Sequence, residues 1–195
     1  MPPHERMFHH EHAHVLDDAD RQRWLPSADV IRDLGLRAGM RVADIGAGTG
    51  YFALPIARAV GPSGIVFAVD LQLEMLEKLR ARLEPSLPIT LVNGDAARTT
   101  LDEGSVDLAF MANVWHEVDD RAVALAELAR IIKPGGRVAI LDWRTDVEPA
   151  PGPPLAHRIP AVETERALAE AGWQVTRPTR LVGPYEYLVL GGARA

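Results

Sequence analysis

Short apolar runs alternate along this chain with stretches in which apolar positions recur every three or four residues, and glycine or proline breaks separate the two kinds. Residues 41–45, 65–69, 89–92, 106–111 and 137–141 are short and apolar enough to be strands buried on both faces. Between them, residues 51–60 end at Gly61-Pro62, and residues 73–83 carry leucines at 73, 76, 79 and 83 before Pro85 stops them. Residues 121–132, rich in alanine and leucine, lead into a turn at Lys133-Pro134-Gly135-Gly136. These are helical patterns with their stop signals, and five strand–helix alternations predict parallel βαβ units in a doubly wound α/β domain. Upstream, Ser27 is expected to cap a helix over 28–34 that Gly35 ends. Downstream, Pro149, Pro151, Pro153, Pro154 and Pro160 make an irregular, stiff connection. A helix over 162–171 and two β-like runs at 173–176 and 185–190 follow, at least one of them expected to be antiparallel to the rest.

Composition narrows the classes of function. A chain of 195 residues, 47% hydrophobic and 25% charged, is sized and balanced for one globular domain with its own core. Against 21 lysines and arginines stand 27 aspartates and glutamates, a net charge of −6. Basic residues such as Arg80 and Arg82 are interspersed with acids, so the clustered positive field that nucleic acid or anionic lipid requires is missing and neither is an expected partner. Small molecules are. There is no cysteine, which removes disulfides, thiolate nucleophiles and Cys-ligated metal centres. The opening Met1-Pro2-Pro3-His4-Glu5-Arg6 has no signal-peptide core and no run of about 18 apolar residues occurs, so a cytoplasmic location is expected.

Chemistry concentrates where the first strand ends, in Val42-Ala43-Asp44-Ile45-Gly46-Ala47-Gly48-Thr49-Gly50. A glycine loop opening onto a helix lets the backbone approach a ligand closely, and the helix start offers N–H groups to an anion. The dinucleotide fingerprint asks for a third glycine where this chain has Tyr51. Asp44, two residues before Gly46, would repel a pyrophosphate and attract the ammonium of a bound methionine moiety. Asp70 closes the second strand twenty residues beyond Gly50, the spacing of an acid that accepts from ribose hydroxyls. In Asn93-Gly94-Asp95-Ala96, Asp95 is placed either to accept from an adenine amino group, with the Ala96 N–H reaching a ring nitrogen, or to close an Asx turn.

Taken together, V-A-D-I-G-A-G-T-G at 42–50, V-F-A-V-D at 66–70, N-G-D-A at 93–96 and K-P-G-G at 133–136 resemble the class I S-adenosylmethionine-dependent methyltransferases. The resemblance is to small bacterial and archaeal members similar to the ubiquinone/menaquinone C-methyltransferase group, and it covers about residues 27–195. It implies a Rossmann-like seven-stranded sheet of order 3-2-1-4-5-7-6 with strand 7 antiparallel, and S-adenosylmethionine as cofactor. Cofactor-binding roles pass to Asp44, Gly46, Ala47, Gly48, Thr49, Gly50, Asp70, Asp95 and Ala96, with Leu71 and Met75 bordering the adenosine. The segment beside the transferable methyl maps onto Ala112-Asn113-Val114-Trp115-His116-Glu117, where Asn113 would hold the methionine moiety.

Methyl transfer from a sulfonium needs in-line alignment and has a good leaving group, so a general base is optional. His116 is the candidate base for a phenol, enol or protonated amine; the competing reading is that it only packs or caps. The N-P-P-Y type motif of amide and nucleobase methylation is absent, and thiol-dependent arsenic and cytosine C5 methylation are disfavoured without cysteine. That leaves a small-molecule O, N or C acceptor. Residues 1–26 hold His4, His9, His10, His12 and His14. Short imidazole spacing is compatible with a metal, but no metal site is expected there, and the segment reads instead as a candidate lid over a domain at 27–195. A nicotinamide oxidoreductase and a catalytically silent cofactor-binding module are the alternatives, and a homodimer is an open option.

Overall fold

The computed structural model describes residues 8–18 and 20–194, so His4 and the opening hexapeptide fall outside the described residues. A 3-10 turn at His10–Asp17 leads into the short α1 (Arg21–Trp24) and α2 (Ser27–Asp33). Five strands and three helices follow, with no helix between the third and fourth strands: β1 (Arg41–Ile45), α3 (Ala53–Val60), β2 (Ile65–Asp70), α4 (Leu73–Arg80), β3 (Ile89–Asn93), β4 (Val106–Ala112), α5 (Arg121–Ile131) and β5 (Ile132–Trp143). The chain ends with α6 (Ala161–Glu170), β6 (Trp173–Val175), β7 (Arg180–Val182) and β8 (Glu186–Arg194).

One sheet runs β3-β2-β1-β4-β5-β8-β6, with β7 paired to β8 off that path. β1 to β5 are mutually parallel and β8 is antiparallel to β5, with Val138 opposite Gly191 and Trp143 opposite Glu186. The expected order holds with one addition. β7 is an extra strand within a stretch that reads as mere connection, so the antiparallel strand is eighth in the chain. β7 and β6 divide the outer edge of β8 between them, β7 along Glu186–Leu188 and β6 along Gly191–Arg194.

The period of two along each strand sorts side chains onto two faces. Val42, Val66, Phe110, Ala139 and Leu188 face a core closed by Val30 of α2 and Leu34 just after it, Ile56 and Val60 of α3 and Leu79 of α4. Ala43, Ile45, Met111, Ile140 and Val189 face a second core closed by Leu125 and Leu128 of α5 and Leu168 of α6. Burial on both faces explains why the strands read as unbroken apolar runs. Each fully buried Leu or Ile contributes about 1.5–3 kcal/mol.

Several boundaries differ from expectation: α4 ends at Arg80 rather than at 83, and β8 runs over Glu186–Arg194 rather than 185–190. Pro26, not Ser27, is the residue before α2, and the Ser27 hydroxyl bonds Gln22 instead of capping. Residues 51 and 52 stay in the loop, so α3 starts at Ala53. The Lys133-Pro134-Gly135-Gly136 turn is a bulge inside β5: Ile132 already pairs with Val106, and the register shifts before Arg137 meets Leu108. Strand order reverses between β1 and β4, and the crevice beyond the carboxyl ends of those strands is where this architecture places ligands.

Candidate active site

That crevice holds a cavity of about 830 Å³. One wall comes from the loop after β1. Gly46 N and Ala47 N donate to the Val69 carbonyl at 2.8 and 3.0 Å, Gly50 N to the Ala47 carbonyl at 2.9 Å, and Gly48 N to Asp70 Oδ2 at 2.8 Å. These four amides are therefore spent within the protein and are not offered to a ligand. The loop shapes the wall instead. A Cβ on Gly46, whose φ is +74°, would lie 2.2 Å from Val114 Cγ2, so the segment after β4 packs directly onto the loop.

Asp44 sits in this wall, 2% exposed. The Ala53 N–H bonds its carboxyl group, but Oδ2 has no partner among the described residues. Burial, reinforced by the nearby Asp70 charge, pushes it up to about 7. Asp70 is also buried and also raised, chiefly by desolvation, although the Gln72 and Gly48 amides oppose that shift. Both oxygens of Asp70 accept backbone bonds, since Gln72 N reaches Oδ1 at 2.9 Å. Asp70 is also among the residues that line the cavity.

Beyond Asp70, exposed Leu71 and buried Met75 border the cavity, with Asp95 and Ala96 across from them. Asp95 closes the Asx turn: its Oδ1 accepts from Ala97 N at 2.8 Å and Arg98 N at 2.7 Å. Asn113, with a left-handed φ of 59°, turns the chain out of β4. Its Nδ2 donates to Glu186 Oε1 at 2.8 Å, and its Oδ1 is buried without a partner among the described residues. All of the expected cofactor residues except Gly50 line this one cavity; Gly50 supports the wall from behind, where a Cβ would meet Leu79.

His116 lines the same cavity and is 4% exposed. Its Nδ1 lies 2.7 Å from Asp142 Oδ1, and its backbone N donates to Asp142 Oδ2 at 2.8 Å. Nε2 is 3.7 Å from Glu117 Oε1. Burial pulls the imidazole down, but the Asp142 charge and hydrogen bond, with Glu117, more than offset this and leave it above its ordinary value. Burial pushes Glu117 up to about 7, while His116 and the Phe8 N–H, at 3.1 Å, act against that shift. Glu186, 0% exposed, is likewise pushed up by burial, to about 8.

Asp142, Glu186 and the roles of Glu117 and Gln72 escape sequence reasoning. Asp142 carried a usable signal: an acid near the end of an apolar run, as Asp44 is in β1. Trp24, Tyr51, Trp143 and the proline-rich residues 151–154 also line the cavity and form its aromatic part. Trp24 and Trp143 rings lie 5.4 Å apart, and Gly152 rests so close on the Trp143 indole that a Cβ would approach it to 2.5 Å.

The described part of the N-terminal segment crosses the cleft. His10 N donates to Gln72 Oε1 at 2.9 Å, Gln72 Nε2 to the Phe8 carbonyl at 2.7 Å, and Lys78 Nζ to the His10 carbonyl at 2.7 Å. Leu16 packs beside Gly48. Among the described residues no group of three His, Asp or Glu side chains is placed to hold a metal ion, and no helix is long and apolar enough to cross a membrane.

A methyltransferase-domain family model matches residues 43–140, which runs from β1 to β5 through the whole cofactor wall. The chain belongs to the class I S-adenosylmethionine-dependent methyltransferases. An S-adenosylmethionine-dependent methyltransferase from Aquifex aeolicus is 30% identical with a TM-score of 0.90, covering 96% of this chain and 100% of that one. A demethylmenaquinone methyltransferase of Staphylococcus aureus (strain JH9) is 34% identical over 113 residues, 58% of this chain and 47% of the relative. The chain thus spans about half the length of the curated relatives it matches. Magnesium protoporphyrin IX methyltransferase from Synechocystis PCC 6803, solved with bound S-adenosylmethionine, shares the fold at 17% identity and a TM-score of 0.68, covering 92% of this chain and 83% of that one.

Proposed function

We propose that this methyltransferase transfers the methyl group of S-adenosylmethionine to a small, flat, largely apolar acceptor that carries an ionisable hydroxyl. The observation that carries the reading is that one cavity is lined by Asp44 and Asp70, by His116, and by two tryptophans with a proline-rich loop. The residues fit the cofactor. Asp44 Oδ2 is a buried oxygen without a protein partner, suited to an ammonium, whereas a pyrophosphate would meet two carboxylates and amides already engaged. Asp44 and Asn113 would hold the methionine end, Asp70 the ribose hydroxyls, and Leu71, Met75 and Ala96 the adenine; Asp95, with one oxygen tied up in its turn, would accept from the adenine amino group through Oδ2.

Bound S-adenosylmethionine supplies an electrophilic methyl group on a sulfonium. The chain's own part is placement and proton handling. The aromatic part of the cavity seats a planar acceptor and excludes water, which confers much of the rate advantage through alignment. His116, which lines the same cavity, takes the acceptor proton, a contribution of about 10²–10⁴ in rate. The N-terminal segment, through Phe8, His10 and Leu16, serves as the lid over the cofactor end. The relatives that are demethylmenaquinone methyltransferases lend support to a quinol-like ring as acceptor.

Calorimetric titration with S-adenosylmethionine, S-adenosylhomocysteine and NADH tests the cofactor, with micromolar binding expected for the first two and none for the third. Tight NADH binding without S-adenosylhomocysteine binding would end the reading. A panel of phenols, quinols, enols and amines then tests the acceptor, and turnover confined to amines would overturn the hydroxyl assignment.

A further inference from the structure

We propose that Asp142 is a positioning residue for methyl transfer: it holds the His116 imidazole with Nδ1 protonated, so that the Nε2 lone pair is directed at the acceptor. The proposal rests on the methyl-transfer reading above and goes past it, because neither the glycine loop nor any cofactor motif involves β5.

The geometry carries it. Asp142 is 0% exposed near the end of β5, paired with Tyr187 of β8, and cannot swing toward water. Both of its oxygens face the turn after β4. Oδ2 accepts from His116 N at 2.8 Å, and Oδ1 accepts from Trp143 N at 2.8 Å while lying 2.7 Å from His116 Nδ1. An ionised carboxylate accepts and never donates, so Nδ1 must be the donor in the third contact. In the neutral ring this leaves Nε2 as the basic nitrogen, on the side of Glu117 and the cavity. The double grip on backbone and ring fixes two degrees of freedom with one side chain. A residue that merely satisfied a buried imidazole would have no need to anchor its backbone as well.

The charges around the ring are few and come from three elements. Asp142 on β5 and Glu117 on the turn itself favour the imidazolium, whereas Arg121 on α5, stacked over Trp115, disfavours it. In the reaction His116 Nε2 takes the acceptor hydroxyl proton as the acceptor oxygen bonds the methyl carbon. The sulfur keeps the electron pair of the bond it loses, and Asp142 balances the imidazolium charge left behind.

The experiment has two arms. The first is nitrogen-15 NMR of His116 in the wild-type protein with neither cosubstrate nor acceptor added. At high pH the expected tautomer has Nδ1–H and a bare Nε2, and on titration the ring should protonate above its ordinary 6.5. The reverse tautomer would overturn the proposal, and this arm needs no variant to fold. The second arm compares Asp142→Asn, His116→Gln and the double variant on an acceptor found by the panel above.

Asp142→Asn should lower kcat roughly 10- to 10²-fold, with KM for S-adenosylmethionine changed less than threefold. It should also move the alkaline-rising limb of the kcat profile to lower pH, since the imidazolium loses its anion. The double variant should be no slower than His116→Gln alone, because the two residues act as a unit. Additive losses, or an unmoved pH limb, would reduce Asp142 to a structural partner. If Asp142→Asn does not fold, the wild-type tautomer and the His116→Gln loss decide the matter, and a His116→Gln enzyme with full kcat overturns it. Failure to bind S-adenosylhomocysteine would sink the methyl-transfer reading while leaving the tautomer result intact, so the two failures are distinguishable.

Discussion

Asp44 shows how burial can set the electrostatics of a cavity wall. Buried beside Asp70, with a titration point near 7, it awaits a cation more than it tolerates its own charge. A bound ammonium favours the ionised form, so cofactor binding should release a proton around neutrality. Affinity for S-adenosylhomocysteine should weaken as pH falls from 8 toward 6, approaching tenfold per unit below about 7. Asp44→Asn should flatten that dependence and cost about 1.5–3 kcal/mol of binding at pH 8. Calorimetry in two buffers of different ionisation enthalpy reads both, and a pH-independent affinity in the wild type would remove Asp44 from contact with the ligand. Asp44 was legible in the sequence because its neighbours Gly46, Gly48 and Gly50 announce a ligand loop. Asp142 was not, although it too is an acid closing an apolar run, because its partner His116 lies 26 residues earlier and only strand pairing brings them together. Glu186 hides for the same reason, reaching Asn113 from 73 residues away across the antiparallel pair.

At the scale of elements, the sheet and its crossovers were legible because each of the first five strands is buried on both faces and each helix between them carries one apolar stripe. What the pattern misses is what long-range contact decides. β7 is three residues long with two of them exposed, and it is a strand only because β8 offers it an edge. The N-terminal segment is polar, with histidines and no helical stripe, and it is ordered by bonds to α4 and its leading loop rather than by a core of its own. Gln72 bridges that segment by side-chain bonds to Phe8 and His10, while its backbone N–H serves Asp70. Gln72→Ala should therefore free the segment and leave the Asp70 bond in place. Hydrogen exchange of amides at 10–17 should speed up by about tenfold or more, and KM for S-adenosylmethionine should rise several-fold with kcat nearly unchanged. Unaltered exchange would mean that Leu16 and Lys78 hold the segment without Gln72.

For the whole molecule, the carboxylates gathered at the carboxyl ends of the strands make stability depend on pH in an unusual sense. Asp44 and Glu117 stand at about 7 and Glu186 at about 8, all above ordinary carboxylate values, and Asp70 is raised as well. A group of this kind binds more protons folded than unfolded, so its ionisation opposes folding and stability falls from about pH 4, where the unfolded carboxylates ionise, up to 7 to 8, where the loss levels off. His116 acts in the same direction, because a raised imidazole adds stability that is present below about 6.5 and lost as pH passes its folded value. Glu127, held at about 2 chiefly by Arg130, and Asp107, lowered chiefly by Lys133 and the Arg41 amide against the pull of burial, work oppositely. Their contribution is complete by about pH 5, where unfolded carboxylates are already ionised, so it cannot cancel the slope above that. The protein without cosubstrate should thus melt higher at pH 6 than at pH 8. Because the acids lie close enough to titrate as a group, the difference is on the order of 2 kcal/mol, or roughly 4–8 °C. If its ammonium pairs with Asp44 as proposed, saturating S-adenosylhomocysteine should stabilise more at pH 8 than at pH 6 and shrink that gap. Asp44→Asn should shrink it without any ligand, since one of the acids whose ionisation opposes folding is gone. Scanning calorimetry across the range reads all three, and a wild-type melting temperature that is flat or rises from pH 6 to pH 8 would contradict this burial of uncompensated acids around the cavity.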